Sequence, residues 1–109
     1  MHQAIYDRML AVARAQDITY YSEIAPLAGL DMHFEEDRDE ISRLLGEIAI
    51  HEHEHQRPLL PAVVIHYEDN QPGKGFFTLS RELGLFRAGR PYMFFHQELR
   101  RVHDYWRNR

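Results

Sequence analysis

His51-Glu52-His53-Glu54-His55 carries the residue types with the sharpest potential chemistry in the chain. It satisfies H-E-x-x-H, which on a helix sets two imidazoles one turn apart and a carboxylate beside a metal-bound water. Three features oppose that reading. Glu54 is charged where the motif is usually uncharged, Pro58 ends the helix almost at once, and no spacing singles out a third ligand among Glu68, Glu82 and His96. The plainer expectation is a polar helix end whose imidazoles lie at the negative end of the helix dipole. His51 and His55 remain as candidates for incidental zinc or nickel, and no cofactor is expected. Pro72-Gly73-Lys74-Gly75 resembles a phosphate cradle only superficially, since glycines let backbone N–H groups converge on an anion but the spacing and final Ser/Thr of a P-loop are missing. It reads as a tight turn with Lys74, the only lysine, at its tip. With no cysteine there is no thiolate nucleophile, no disulfide and no Cys-type zinc site.

The elements that must position these residues follow from periodicity. Ile5, Met9, Val12 and Ala13 keep helical spacing and predict a helix over about residues 2–15. Ile18 to Tyr21 is β-branched and aromatic, as in a short strand. Ser22 offers an N-cap for a short helix that passes Pro26 and stops at Gly29. Asp37 and Glu40 have capping-box spacing, and Ile41, Leu44, Leu45 and Ile48 form the apolar face of a third helix over about 38–55. Gly46 within it costs about 1 kcal/mol relative to Ala, which predicts the close approach of another backbone. Leu59 to Val64 and Gly75 to Leu79, separated by the Pro/Gly turn, predict an antiparallel β-hairpin with Phe76 and Phe77 on opposite faces. Ser80 would cap a short helix through Leu85, and Phe95, Leu99, Val102 and Trp106 mark a last helix.

At 109 residues, with 44% hydrophobic and 28% charged side chains, the chain suits one soluble domain spanning residues 1–109. Its longest apolar run, Leu59 to Ile65, is far below the roughly 20 residues of a membrane span. The N-terminal segment lacks a signal peptide's apolar stretch, which predicts a cytoplasmic protein. The net charge of −4 conceals a dipole. The stretch from Asp31 to His55 is strongly acidic, whereas Arg81 to Arg109 holds seven arginines against Glu82, Glu98 and Asp104. The basic end can meet nucleic acid, an acidic partner, or the chain's own middle.

Helix, short strand, helix, helix and two-stranded wing give an α+β, winged-helix-like fold with C-terminal helices. Ile18-Thr19-Tyr20-Tyr21-Ser22-Glu23-Ile24-Ala25 with Leu27-Ala28-Gly29 resembles the segment that opens the DNA-binding domain of the alkylguanine-DNA alkyltransferases and their non-catalytic alkyltransferase-like relatives. Arg43-Leu44-Leu45-Gly46 is similar to that family's Arg-Ala-Val-Gly on the recognition helix, and Pro61-Ala62-Val63-Val64 lies where the family carries Pro-Cys-His-Arg. The resemblance spans about residues 18–75. It implies that Tyr21 meets the DNA backbone and that Arg43 enters the duplex in place of a flipped base. It also implies that Ala62 stands where the nucleophilic cysteine would, so alkyl transfer is excluded. About eight extra, largely acidic residues between Gly29 and Arg43 depart from the family pattern. Arg57-Pro58-Leu59-Leu60-x-Ala62-Val63-Val64, followed by Pro72-Gly73-x-Gly75-Phe76-Phe77, is also similar to a family of small uncharacterised bacterial proteins, which implies no activity.

No residue set forms a complete catalytic constellation by spacing. The leading expectation is a non-catalytic domain that binds double-stranded DNA through Tyr21, Arg43 and Lys74. The alternative is a protein-interaction module that uses the acidic helix and exposed aromatics. A zinc-dependent hydrolase built on His51 and His55 is third.

Overall fold

The computed structural model describes residues 1–109. Helix α1, Gln3–Arg14, buries Ile5, Met9 and Ala13, one turn apart on one face, and His2 caps its start by accepting the Ile5 N–H at 3.3 Å. It ends on Gln16 in the left-handed region, at φ 61°. Glycine would avoid the roughly 1 kcal/mol such a residue costs, yet only a longer side chain makes the bonds seen here. The Gln16 amide donates to the carbonyls of Ala13 and His103, each at 2.8 Å, and its oxygen accepts from Arg107, so the turn is tied to the C-terminal helix.

Strand β1, Thr19–Tyr20, runs directly into the short helix α2, Tyr21–Ile24, and a 3-10 turn over Ala25–Ala28. Ser22 is not the cap expected of it: α2 begins one residue earlier and no side chain caps it. Gly29 closes the turn at φ 71°, the left-handed geometry expected there. Helix α3, Glu35–Glu54, starts three residues before its expected position. Asp37 and Glu40 form no capping box. The start is held by Asp37, which accepts the Asp31 N–H at 2.9 Å, and by the complementarity of Glu35, Glu36 and Asp37 to the helix dipole.

The segment after α3 is the centre of the molecule. A 3-10 turn over Leu60–Val63 is buried on every side and packs against α1, α3 and the last helix, α5, Pro91–Trp106. Leu60, Val63 and Val64 are each fully buried, worth about 1.5–3 kcal/mol apiece. A buried carboxylate fixes where this turn begins: Glu98 of α5 accepts the Leu59 N–H at 2.7 Å and pairs with Arg101 at 2.6 Å. Strand β2, Val64–Ile65, then pairs in parallel with β1, Thr19 opposite Val64 and Tyr20 opposite Ile65.

The α+β class therefore stands, with five helices and one two-stranded sheet. The expected hairpin does not form. Its second arm lies within helix α4, Lys74–Glu82, and Pro72-Gly73 leads into that helix instead of turning between strands. Phe77 and Ser80, three residues apart, both point inward, and the Ser80 hydroxyl donates to the Phe76 carbonyl at 2.7 Å; Ser80 lies inside α4, and the short helix through Leu85 that it was expected to cap does not form. Phe77 joins Ile65, Phe86 and Phe95 in a second, smaller core. No helix is long and apolar enough to cross a membrane.

Glu98→Ala is expected to lower unfolding free energy by about 2–3 kcal/mol, because the buried Leu59 N–H loses a charged acceptor. Glu98→Gln, which keeps an acceptor oxygen, is expected to cost about half as much. Urea midpoints check both, and equal losses would show that the hydrogen bond is not what Glu98 contributes.

Candidate binding pocket

Tyr21 opens α2 directly after β1, and this placement carries its ring inward: it is 8% exposed. Its phenol oxygen accepts the Gly73 N–H at 2.8 Å, and its ring stacks on His66 at 4.3 Å between centroids. Burial raises the Tyr21 phenol above its ordinary value, against the lowering effect of the Gly73 hydrogen bond. The contact also explains Gly73, where a Cβ would meet Tyr21 Oη and His66 Nε2 at 3.3 Å each.

Tyr21 and His66 form part of the wall of a cavity of about 410 Å³ between α3, the start of α4 and the loop that joins β2 to α4. Ile41, Leu45 and Ala49 of α3 line it together with Leu59, Pro61, Phe76 and Leu79, so most of the wall is apolar. Polar groups are few. Ser42, Arg38 and Lys74 also line it, all three exposed. Arg38 is aimed by its hydrogen bond to the Met32 carbonyl at 2.9 Å, whereas Lys74 makes no side-chain hydrogen bond or ion pair and no side chain caps the helix that it begins.

Gly46 faces this cavity. The expected close backbone is absent, since an added Cβ would find only Leu79 Cδ2, at 4.0 Å. The close approach occurs instead at Gly75, where a Cβ would fall 2.6 Å from Ser42 Oγ and crowd α4 against α3. Comparison with protein-family models, with curated proteins and with solved structures finds no match.

Arg43 lies on the outer face of α3, as its spacing predicts, but it is not free. Its guanidinium grips both oxygens of Glu40, at 2.7 and 2.8 Å, and reaches Glu47 at 3.1 Å. Hydrogen bonding to Glu40 raises the Arg43 guanidinium further and holds the Glu40 carboxyl below its ordinary value. Lys74 is the first residue of α4, not the tip of a wing. Of the three residues expected at a duplex, the cavity brings together Tyr21 and Lys74 and leaves Arg43 outside. The cavity is not legible in the sequence, because it needs α4, whose residues read locally as a strand.

The histidine segment is explained by Glu52. Spaced 11 residues from Ile41 on the buried face of α3, Glu52 is fully enclosed and accepts from Tyr6 Oη at 2.7 Å and from Arg57 at 2.6 and 3.2 Å. Fully enclosed among these partners, the Glu52 carboxylate is not open to a metal-bound water. His55 Nδ1 is spent on the His51 carbonyl at 2.7 Å, and no group of three or more His, Asp or Glu side chains is placed to share a metal. Burial, then the Glu52 hydrogen bond, pushes the Tyr6 phenol up to about 12 from its ordinary 10.0. The folded chain thus holds a proton between those values that the unfolded chain releases, so stability present below pH 10 is lost as pH rises through about 12.

Two measurements check this geometry. Gly46→Ala is expected to raise stability by about 0.5–1 kcal/mol, since a helix gains Ala and nothing obstructs the methyl; a lower melting temperature would mean that the position is already crowded. Tyr6→Phe is expected to flatten the alkaline loss of stability, whereas limbs parallel to the wild type's would remove the phenol from it.

Proposed function

We propose that this chain is a non-catalytic nucleic-acid-binding domain of the alkyltransferase-like kind that receives one flat, largely apolar group, a base turned out of a duplex, in the cavity beside α3. The observation that carries this reading is the cavity itself: apolar walls, a stacked Tyr21–His66 pair, and the exposed cations Arg38 and Lys74 on its lining. Such a pocket holds a planar ring by burial and stacking, while cations nearby suit the phosphates of the strand that delivers it. Because Gly73 donates to the Tyr21 oxygen, the phenol keeps its own proton for an acceptor on the ligand. The order α1, β1, α2, α3 supports the winged-helix-like part of the reading, which does without an antiparallel wing. Ala62, fully buried at the position of the family's cysteine, offers only a methyl group, so the bound base is held and not altered. Arg43 takes part only if it leaves Glu40 and Glu47.

A second reading rests on α3. Glu35, Glu36 and Asp39 are exposed on α3 and repel phosphate, which favours a protein contact on that helix.

Fluorescence anisotropy with a labelled duplex separates the two. Tighter binding to a duplex carrying an alkylated guanine than to the undamaged one is expected. Lys74→Glu should weaken both alike and reduce the salt slope by about 1. Gly46→Leu, which fills the cavity, should erase the preference for the alkylated base. No measurable affinity for either duplex at low salt would hand the cavity to a protein side chain.

A further inference from the structure

The acidic middle and the basic end do not neutralise each other within the chain. Arg101 pairs with Glu98 on α5 and Arg107, the residue that caps its C-terminus, with Asp104, while Glu40 and Glu47 pair with Arg43 on α3; no ion pair joins the two helices. What remains is two exposed stripes. On α5, His96, Arg100, His103 and Arg107 recur at i, i+4, i+7 and i+11 along a groove that Gln16 also lines. On α3, Glu36, Glu40, Arg43 and Glu47 recur at the same spacing, so each stripe runs about 16 Å along its helix.

We propose that the α5 groove is a docking surface for a second copy of this chain, which lays its α3 stripe along it. Aligned in parallel, Glu36 meets His96, Glu40 meets Arg100, and Glu47 meets Arg107. The remaining pair also fits. His103 Nε2 lies 2.8 Å from the Asp17 carbonyl, which can only accept, so Nε2 is the donor there and Nδ1 is the ring nitrogen left to face Arg43. Arg107 is held in place by Asp104 at 2.8 Å and Gln16 at 3.2 Å, and Arg100, which has no partner of its own, is the cation left free for an incoming carboxylate. Every copy of the chain carries the acidic stripe that complements this groove, which favours a second copy over an unrelated acidic protein.

The contact joins two different surfaces, so each copy in a pair leaves one stripe free and the assembly grows head to tail. Exposed ion pairs are individually weak and screened by salt, so association belongs to high protein concentration and low ionic strength.

Sedimentation velocity on the full chain, from about 0.01 to 1 M salt as the screening length falls from about 30 to 3 Å, is the test. The weight-average mass is expected to rise with concentration at the low end and to return to that of the monomer at the high end. Arg100→Glu alone, and Glu36→Lys with Glu40→Lys, should each give monomers with helical circular dichroism retained. An equimolar mixture of the two variants should associate again, because each supplies the stripe that the other lacks. Association unaffected by Arg100→Glu, or absent from the mixture, would overturn the proposal. So would a wild type that stays monomeric at about 1 mM in low salt, even if it bound a polyglutamate peptide, since the groove would then belong to another protein.

Discussion

Two buried carboxylates on different helices hold Arg57 and Leu59, where the chain enters the centre of the molecule. Glu52 of α3 pairs with Arg57 and accepts from Tyr6 of α1, while Glu98 of α5 accepts the Leu59 N–H. Burying ionised groups is unfavourable unless their charge and lone pairs are met, and here each oxygen has a partner within 3.2 Å. Hydrophobic packing alone would let the Leu60–Val63 turn slide along its apolar neighbours, because burial has no preferred direction. Hydrogen bonds at fixed atoms set its register. From that register follow the pairing of Val64 and Ile65 with Thr19 and Tyr20, and then the position of Tyr21.

The sequence was legible where one physical signal dominated. The buried faces of α1, α3 and α5 appear in the spacings of Ile5, Met9 and Ala13, of Ile41, Leu45 and Ile48, and of Phe95, Val102 and Trp106, because burial of a helical stripe depends only on period. The segment Phe76-Phe77-Thr78-Leu79 was misread because aromatic and β-branched residues favour strands, and a short apolar run has no period of its own. The signal that decides it lies across a longer window, where Phe76, Leu79 and Leu83 fall at i, i+3 and i+7.

The site shows the same division. Arg43 falls off the face made by Ile41, Leu44, Leu45 and Ile48, and its partners Glu40 and Glu47 at i−3 and i+4 are its helical neighbours in the sequence. Glu52 continues the spacing of Ile41, Leu45 and Ile48 by another turn, so helical geometry turned it inward while the histidine motif drew attention to catalysis. Tyr21 was singled out, but not its contact with Gly73, because no local rule links residues in distant parts of the chain.

The two strands carry a kinetic consequence. Each is two residues long, they run in the same direction, and their partners lie nearly half the chain apart. A parallel pair this short has no stability of its own and cannot be nucleated by a tight turn. Closing so long a loop is slow and gains little until α1, α3 and α5 have already packed around the central turn. The sheet, and with it the wall made by Tyr21 and His66, is therefore assembled late in folding and opens early in unfolding. The chain can pass through partly folded forms in which the helical core is intact and the cavity does not yet exist.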